Sequence, residues 1–184
     1  MSIRKIARMG HPVLREKAAK ISPNDVQSDE IKALIQDLID SMEEYSGIGI
    51  AAPQIHESKA IAIIRMDTGS TTYKDANGDA ITVFINPEIK VVDKTPQEFW
   101  EGCLSVPGLR GLVSRPRKVR VEYLDENGEE KELTIDEFGA TVVQHELDHL
   151  HGTLYVDHIA DKTKLMFEEE YVKYHQSEDS PEVD

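Results

Sequence analysis

The chain has one cysteine in 184 residues and 21 Lys and Arg against 35 Asp and Glu, a formal charge of −14. It also has no apolar run approaching the about 20 residues that a membrane-crossing helix requires. A single cysteine excludes an internal disulfide, and with it the stapled scaffold of small secreted domains. Its thiol is either apolar filler or chemically employed. The shortage of cations argues against sequence-independent binding to nucleic acid or to an anionic membrane, since both depend on Lys and Arg neutralising phosphate. Three further absences narrow the fold and cofactor class. There is no internal repeat, no regular strand–helix alternation, and neither a phosphate loop ending in Gly-Lys-Ser/Thr nor a dinucleotide fingerprint.

What is present describes a globular chain, 39% hydrophobic and 30% charged, of a length that suits one domain. Residues 1–172 are expected to form that domain and 173–184 an acidic tail. Residues 1–20 carry Arg4, Lys5, Arg8, Arg15, Lys17 and Lys20 against Glu16 alone. This basic start lacks the Ser enrichment of a transit peptide and the apolar core of a signal peptide, and it is broken by Gly10, His11 and Pro12. A cytoplasmic protein is expected.

Apolar residues at Ile31, Leu34, Ile35, Leu38, Ile39 and Met42 have the spacing of a helix with one buried face, predicted over 28–44. Runs at 60–64 and 81–85 read as paired strands. Two alternating runs, 119–123 and 131–135, flank Asn127-Gly128, a hairpin signal. A helix is predicted over 138–150. The fold class expected is α+β, with mainly antiparallel sheets packed around this second helix and further helices toward each end.

Chemistry begins at His145-Glu-Leu-Asp-His149. Two imidazoles at i and i+4 share one helix face and can share a metal ion, while Glu146 stands within reach of water on that ion as proton acceptor. A catalytic site needs a third protein ligand and an open position. One metalloprotease pattern matches through Gly152 and then fails, because its last histidine is Tyr155 here. A glutamate downstream, Glu168, Glu169 or Glu170, would make a zinc endopeptidase. Cys103, in the Gly- and Pro-bearing stretch Glu101-Gly-Cys-Leu-Ser-Val-Pro-Gly108, is the other candidate. A closed site completed by His151 or His158 would make a zinc-stabilised binding module. A third island, Gly47-Ile-Gly-Ile-Ala-Ala-Pro-Gln54, permits close backbone approach and ends in an amide able to donate to an oxyanion.

In order and spacing the three islands resemble the signature motifs of the peptide deformylase family, whose members remove the formyl group from the N-terminal formylmethionine of new proteins. The resemblance runs from Ile3-Arg-Lys-Ile to the last helix. It implies that Cys103, His145 and His149 hold the metal and that Glu146 is the general acid/base. Gln54 and the Leu104 backbone N–H would hold the formyl oxygen, Gly49 would bond substrate main chain, Arg110 would lie on the exit side, and Glu101 would brace the Cys103 loop. Ile48, Phe99, Phe138 and Val142 would line the methionine pocket. The cofactor implied is one divalent ion, Fe(2+) physiologically, with Zn(2+), Ni(2+) or Co(2+) able to substitute. The partners implied are N-formylmethionyl peptides and nascent chains, with Arg4 to Lys20 the only basic segment available to a ribosome surface. Small departures from the family are Ile50 in place of Leu and His56 in place of a frequent Gly.

Overall fold

The structure, a computed structural model, describes residues 3–69 and 73–176. Helix α1 spans Asp29–Glu44 and opens where the chain supplies a cap: Ser28 Oγ accepts from the Ile31 N–H, and Asp29 and Glu30 sit in the electropositive first turn. Strands β1 (Gly49–Ala51), β2 (Ile61–Arg65), β3 (Ile81–Glu101), β4 (Leu109–Leu124) and β5 (Glu130–Asp136) follow, then helix α2 (Glu137–His149), strand β6 (Leu165–Phe167) and helix α3 (Glu168–Tyr174). The six strands make one antiparallel sheet in the order β1-β2-β3-β4-β5, with β6 paired to β4. The mixed helix and antiparallel-sheet class expected from the sequence is the one found. The strands form a single connected sheet.

Strand β2 shows how the two principal helices are placed. Its residues alternate between two apolar clusters: Ile61 and Ile63 pack with the buried face of α1, while Ala62 and Ile64 pack with Val142, Val143 and Leu147 of α2. Helices therefore cover both faces of this part of the sheet, which is why the run at 60–64 is apolar at every position rather than at every second one. Helix α2 is buried along most of its length, from Ala140 through Leu147 and again at His149.

Strand β3 is far longer than the 81–85 run predicted. Pro87 and Pro96 interrupt the pattern that marks a strand, because proline donates no ladder hydrogen bond. The fold absorbs them at irregularities: the register with β4 shifts between Ile85 and Glu88, Val91 and Asp93, and Asp93 and Pro96. Pro96 lies opposite Pro116, so neither asks the other for an N–H. At the first shift Asn86 adopts φ 51°, and its side-chain amide both accepts from the Ile21 N–H (2.8 Å) and donates to the Ile21 carbonyl (2.7 Å). The amide acts there as a one-residue strand that fastens the N-terminal segment.

That segment holds less free charge than its composition suggests. Arg4 pairs with Asp37 and Glu57, Arg15 with Asp157, and Lys20 with Glu88. Helix α3 runs to Tyr174, and residues 177–184 of the expected tail lie outside the described residues. No helix among the described residues is long and apolar enough to cross a membrane.

Gly152, which closes the turn after α2, has φ +73°, and a Cβ there would lie 2.7 Å from the Arg15 backbone carbon and oxygen. Gly152→Ala is expected to lower stability by more than about 1 kcal/mol, combining left-handed strain with a backbone clash. Thermal unfolding should show it as a fall in Tm of at least about 2–4 °C.

Candidate metal centre

Three separate stretches converge at one end of α2. Helical spacing brings His145 and His149 to the same face, with ring centroids 5.2 Å apart. Strand β3 ends at Glu101, and the loop that follows turns tightly, Val106 N–H to Cys103 carbonyl at 2.9 Å, so that Cys103 faces the histidines. Strand β1 and the 3-10 turn Ala52–Ile55 supply Gln54. The N-terminal segment fastens the last two pieces together, Ala7 N–H donating to the Gln54 carbonyl and Met9 N–H to that of Ser105, each at 2.7 Å.

The donor atoms of Cys103, His145 and His149 all lie within 4.8 Å of one another, and all three residues are buried. Among the described residues this is the one group of three or more such side chains so placed. One ion at about 2.0–2.3 Å from each donor would bridge that spacing. Cys103 Sγ lies 3.4 Å from His149 Nε2 and also receives the Ser105 N–H (3.4 Å) and the Gln54 side-chain amide (3.6 Å). Two N–H donors therefore converge on the sulfur, fixing where it points. Gln54 is set in this direction because its Oε1 accepts from the Ala51 N–H at 2.8 Å.

The remaining side of His145 is filled by a carboxylate. His145 Nδ1 donates to Glu101 Oε2 at 2.8 Å, which leaves Nε2 with its lone pair available. Glu101 is wholly buried and is also gripped by Arg115, Nε to Oε1 at 2.6 Å and the second guanidinium nitrogen to Oε2 at 3.0 Å. Burial alone would raise the Glu101 pKa, but the bonds from His145 and Arg115 hold it below the ordinary carboxylate range. Burial likewise lowers both histidines. Bonds to Cys103 and Glu101 reverse this at His145, while His149, facing that charge, stays well below its usual value.

Glu146 is buried, and its Oε2 has no hydrogen-bond partner among the described residues. Burial is the largest influence on it and pushes its pKa up to about 7. An unpartnered carboxylate oxygen beside a three-donor triangle fits a site that takes a further, water-sized guest. Gly49 makes room for it: a Cβ there would stand 2.7 Å from Glu146 Cγ and Oε1.

The other sequence candidates gather around this centre. Ile48, Phe138 and Val142 share one apolar cluster, and the Phe99 and Phe138 rings meet edge to face at 5.4 Å. Leu104 and Arg110 line a cleft of ≈ 460 Å³ that begins at Cys103 and is walled by Lys5, Arg8 and Tyr45. Glu168 does not approach the histidines. It stands in the same cleft, bonded to Arg110 at 2.9 Å, and Glu169 and Glu170 are exposed, so none of the three glutamates joins the histidines. His151 is exposed and His158 pairs with Asp148, so neither completes a closed four-ligand set.

The family model for polypeptide deformylase matches residues 3–165. A peptide deformylase from Leptospira biflexa is 40% identical over 165 residues, spanning 90% of this chain and 92% of its own. The chain belongs to the peptide deformylase family. Solved deformylases share the fold. A class I type b peptide deformylase from Acinetobacter baumannii with Met-Ala-Ser bound matches with a TM-score of 0.76 at 37% identity, covering 85% of this chain and 99% of that one. A peptide deformylase from Synechococcus elongatus in complex with actinonin matches with 0.77 at 34% identity, covering 88% and 81%. Peptide deformylase is a metalloenzyme, and the buried Cys/His/His group is the feature of this chain that suits one.

Sequence reasoning passed over Arg115 and Asp148. Asp148 sits inside the histidine motif and its position was the available signal. Arg115 looks like one of several cations in Arg115-Pro-Arg-Lys118, and only the strand register turns it inward. Arg115→Leu is expected to destabilise the metal-free protein by about 3–5 kcal/mol, because it leaves Glu101 and Asp148 as neighbouring carboxylates without their cation. Urea unfolding measures this directly, and a loss under 1 kcal/mol would contradict the pairing.

Proposed function

We propose that this protein hydrolyses the formyl group from the N-terminal formylmethionine of newly made polypeptides, releasing formate, and that Cys103, His145 and His149 hold the divalent ion it needs. One observation carries the site assignment. Three buried metal donors lie together with a carboxylate that has a free oxygen and an amide donor, and one of the three, Cys103, also lines a cleft of ≈ 460 Å³. The S, N, N donor set accepts Fe(II), Zn(II), Co(II) or Ni(II), and Fe(2+) is proposed as the physiological metal.

When bound, the ion supplies Lewis acidity that activates water at neutral pH. Glu146 accepts the proton of the attacking water and delivers it to the departing amine, so that water and a formamide become formate and a free N-terminus. The Gln54 amide and the Leu104 N–H meet the oxygen as it gains charge. Both belong to rigid turns, so they need little rearrangement at that moment. Gly49 bonds the substrate main chain. Ile48, Phe99, Phe138 and Val142 receive the methionine side chain, and the cleft past Arg110 takes the residues that follow. Met-Ala-Ser, the peptide bound to the Acinetobacter relative, is what deformylation of formyl-Met-Ala-Ser leaves. Approach to nascent chains on the ribosome through the basic N-terminus has only part of that charge to draw on, since Arg4, Arg15 and Lys20 are paired internally.

Metal analysis and formate release from formyl-Met-Ala-Ser, run anaerobically with Fe(II), test this reading. Cys103→Ala should lose the metal. Glu146→Ala should retain it and lose about 10²–10⁴-fold in turnover. Gln54→Ala should keep metal and lose about 10²–10³-fold, the usual cost of one oxyanion donor. Full metal content and activity in Cys103→Ala would overturn the ligand set, and metal with no formate release from the wild type would overturn the activity.

A further inference from the structure

The 3-10 turn Tyr155–His158 touches the metal-centre helix twice, and neither contact is used by the chemistry. The Tyr155 ring lies nearly parallel to that of His145, with centroids 6.0 Å apart and planes at 20°. Three residues on, and so on the same edge of a 3-10 turn, His158 Nε2 donates to Asp148 Oδ2 at 2.8 Å. That oxygen also accepts from Arg115 at 2.8 Å. Arg115 passes on to Glu101, and Glu101 to His145 Nδ1. The path therefore leads from a side chain 37% exposed to a buried imidazole, and each step is a hydrogen bond to an ionised group.

The turn is itself fixed from outside. Asp157 accepts from the Leu154 N–H and pairs with Arg15, and Tyr155 OH donates to the Leu109 carbonyl at 3.1 Å. Asp148 is tuned by the same contact. Burial pushes its carboxyl up, and the His158 bond is the first of the opposing influences that bring it below its ordinary range, ahead of Arg115.

We propose that His158 is a positioning residue for the metal centre: through Asp148, Arg115 and Glu101, and with Tyr155 against the ring, it fixes the direction in which His145 presents Nε2. A planar guanidinium holds Glu101 and Asp148 on two of its edges at once. If Asp148 loses its second partner, the carboxylate is free to turn, the guanidinium follows, and Glu101 carries the His145 ring with it. The inference rests on the reading of Cys103, His145 and His149 as metal ligands.

Wild type, His158→Leu and His158→Gln are compared by the visible absorption of bound Co(II), by the rate of Co(II) transfer to a chelator, and by thermal unfolding of the metal-free proteins. In His158→Leu the Co(II) bands should shift and release should speed up about three- to tenfold, less than the 10–100-fold typical of a ligand's own partner. The metal-free Tm should stay near that of the wild type. His158→Gln keeps an N–H donor and should restore the wild-type spectrum and rate. Unchanged bands and release in His158→Leu, a fall in metal-free Tm without either, or equal effects of Leu and Gln would each overturn the inference alone. Wild-type protein that takes up no Co(II) would overturn the ligand reading, and this inference with it.

Discussion

A carboxylate with no exposure to solvent governs the rest of this molecule. Glu101 sits at the end of the longest strand, where an isolated charge would cost several kcal/mol. Its position is tolerable only because Arg115, on the neighbouring strand, and His145, on the buried helix, meet it from two sides. Sheet register, helix placement and the histidine's orientation are thus tied by one group. The strand partner of Glu101 is Gly111, while Arg115 lies four residues along β4, opposite Gln97. The guanidinium must reach back along the sheet to find its anion, and a shift of one residue between β3 and β4 would turn it to the other face.

A second constraint is space. Gly49 and Glu146 lie so close that a side chain at 49 would force the Glu146 side chain to move, and β2 is buried on both faces between α1 and α2. Close packing of this kind holds the centre by shape where few polar contacts reach it. It also explains the glycine at 49: it lets backbone come close to the Glu146 carboxylate, while Gln54, five residues on, keeps its amide aimed at Cys103.

Elements with one clean period were legible in the sequence. The capped helix α1, the hairpin around Asn127-Gly128 and the helix carrying two histidines each announce themselves by spacing. The full extent of β3 and β4 did not, since Pro87, Pro96 and Pro116 break the strand pattern and only irregular pairing rescues it. The same division holds at the centre. Cys103, His145, Glu146, His149 and Gln54 lie in short motifs whose residue types suggest chemistry, and the fold brings them together. Arg115, Asp148 and Tyr155 contribute through register and turn geometry, which local patterns do not encode. His56, noted as a departure from a frequent glycine, has φ 68° and meets His11 edge to face at 4.6 Å, so the ring contact accompanies a conformation that glycine adopts more easily.

The convergence of three distant stretches also bears on how the protein is made. Gln54, Cys103 and His149 are separated by 49 and 46 residues, and no two of the three islands are neighbours along the chain. The first 140 residues hold α1, strands β1 to β5, the thiol and the amide, but neither histidine. The centre comes into being only when α2 emerges and docks. An N-terminal fragment ending before His145 therefore carries one of the three donors, Cys103, and lacks the two histidines that make it a group.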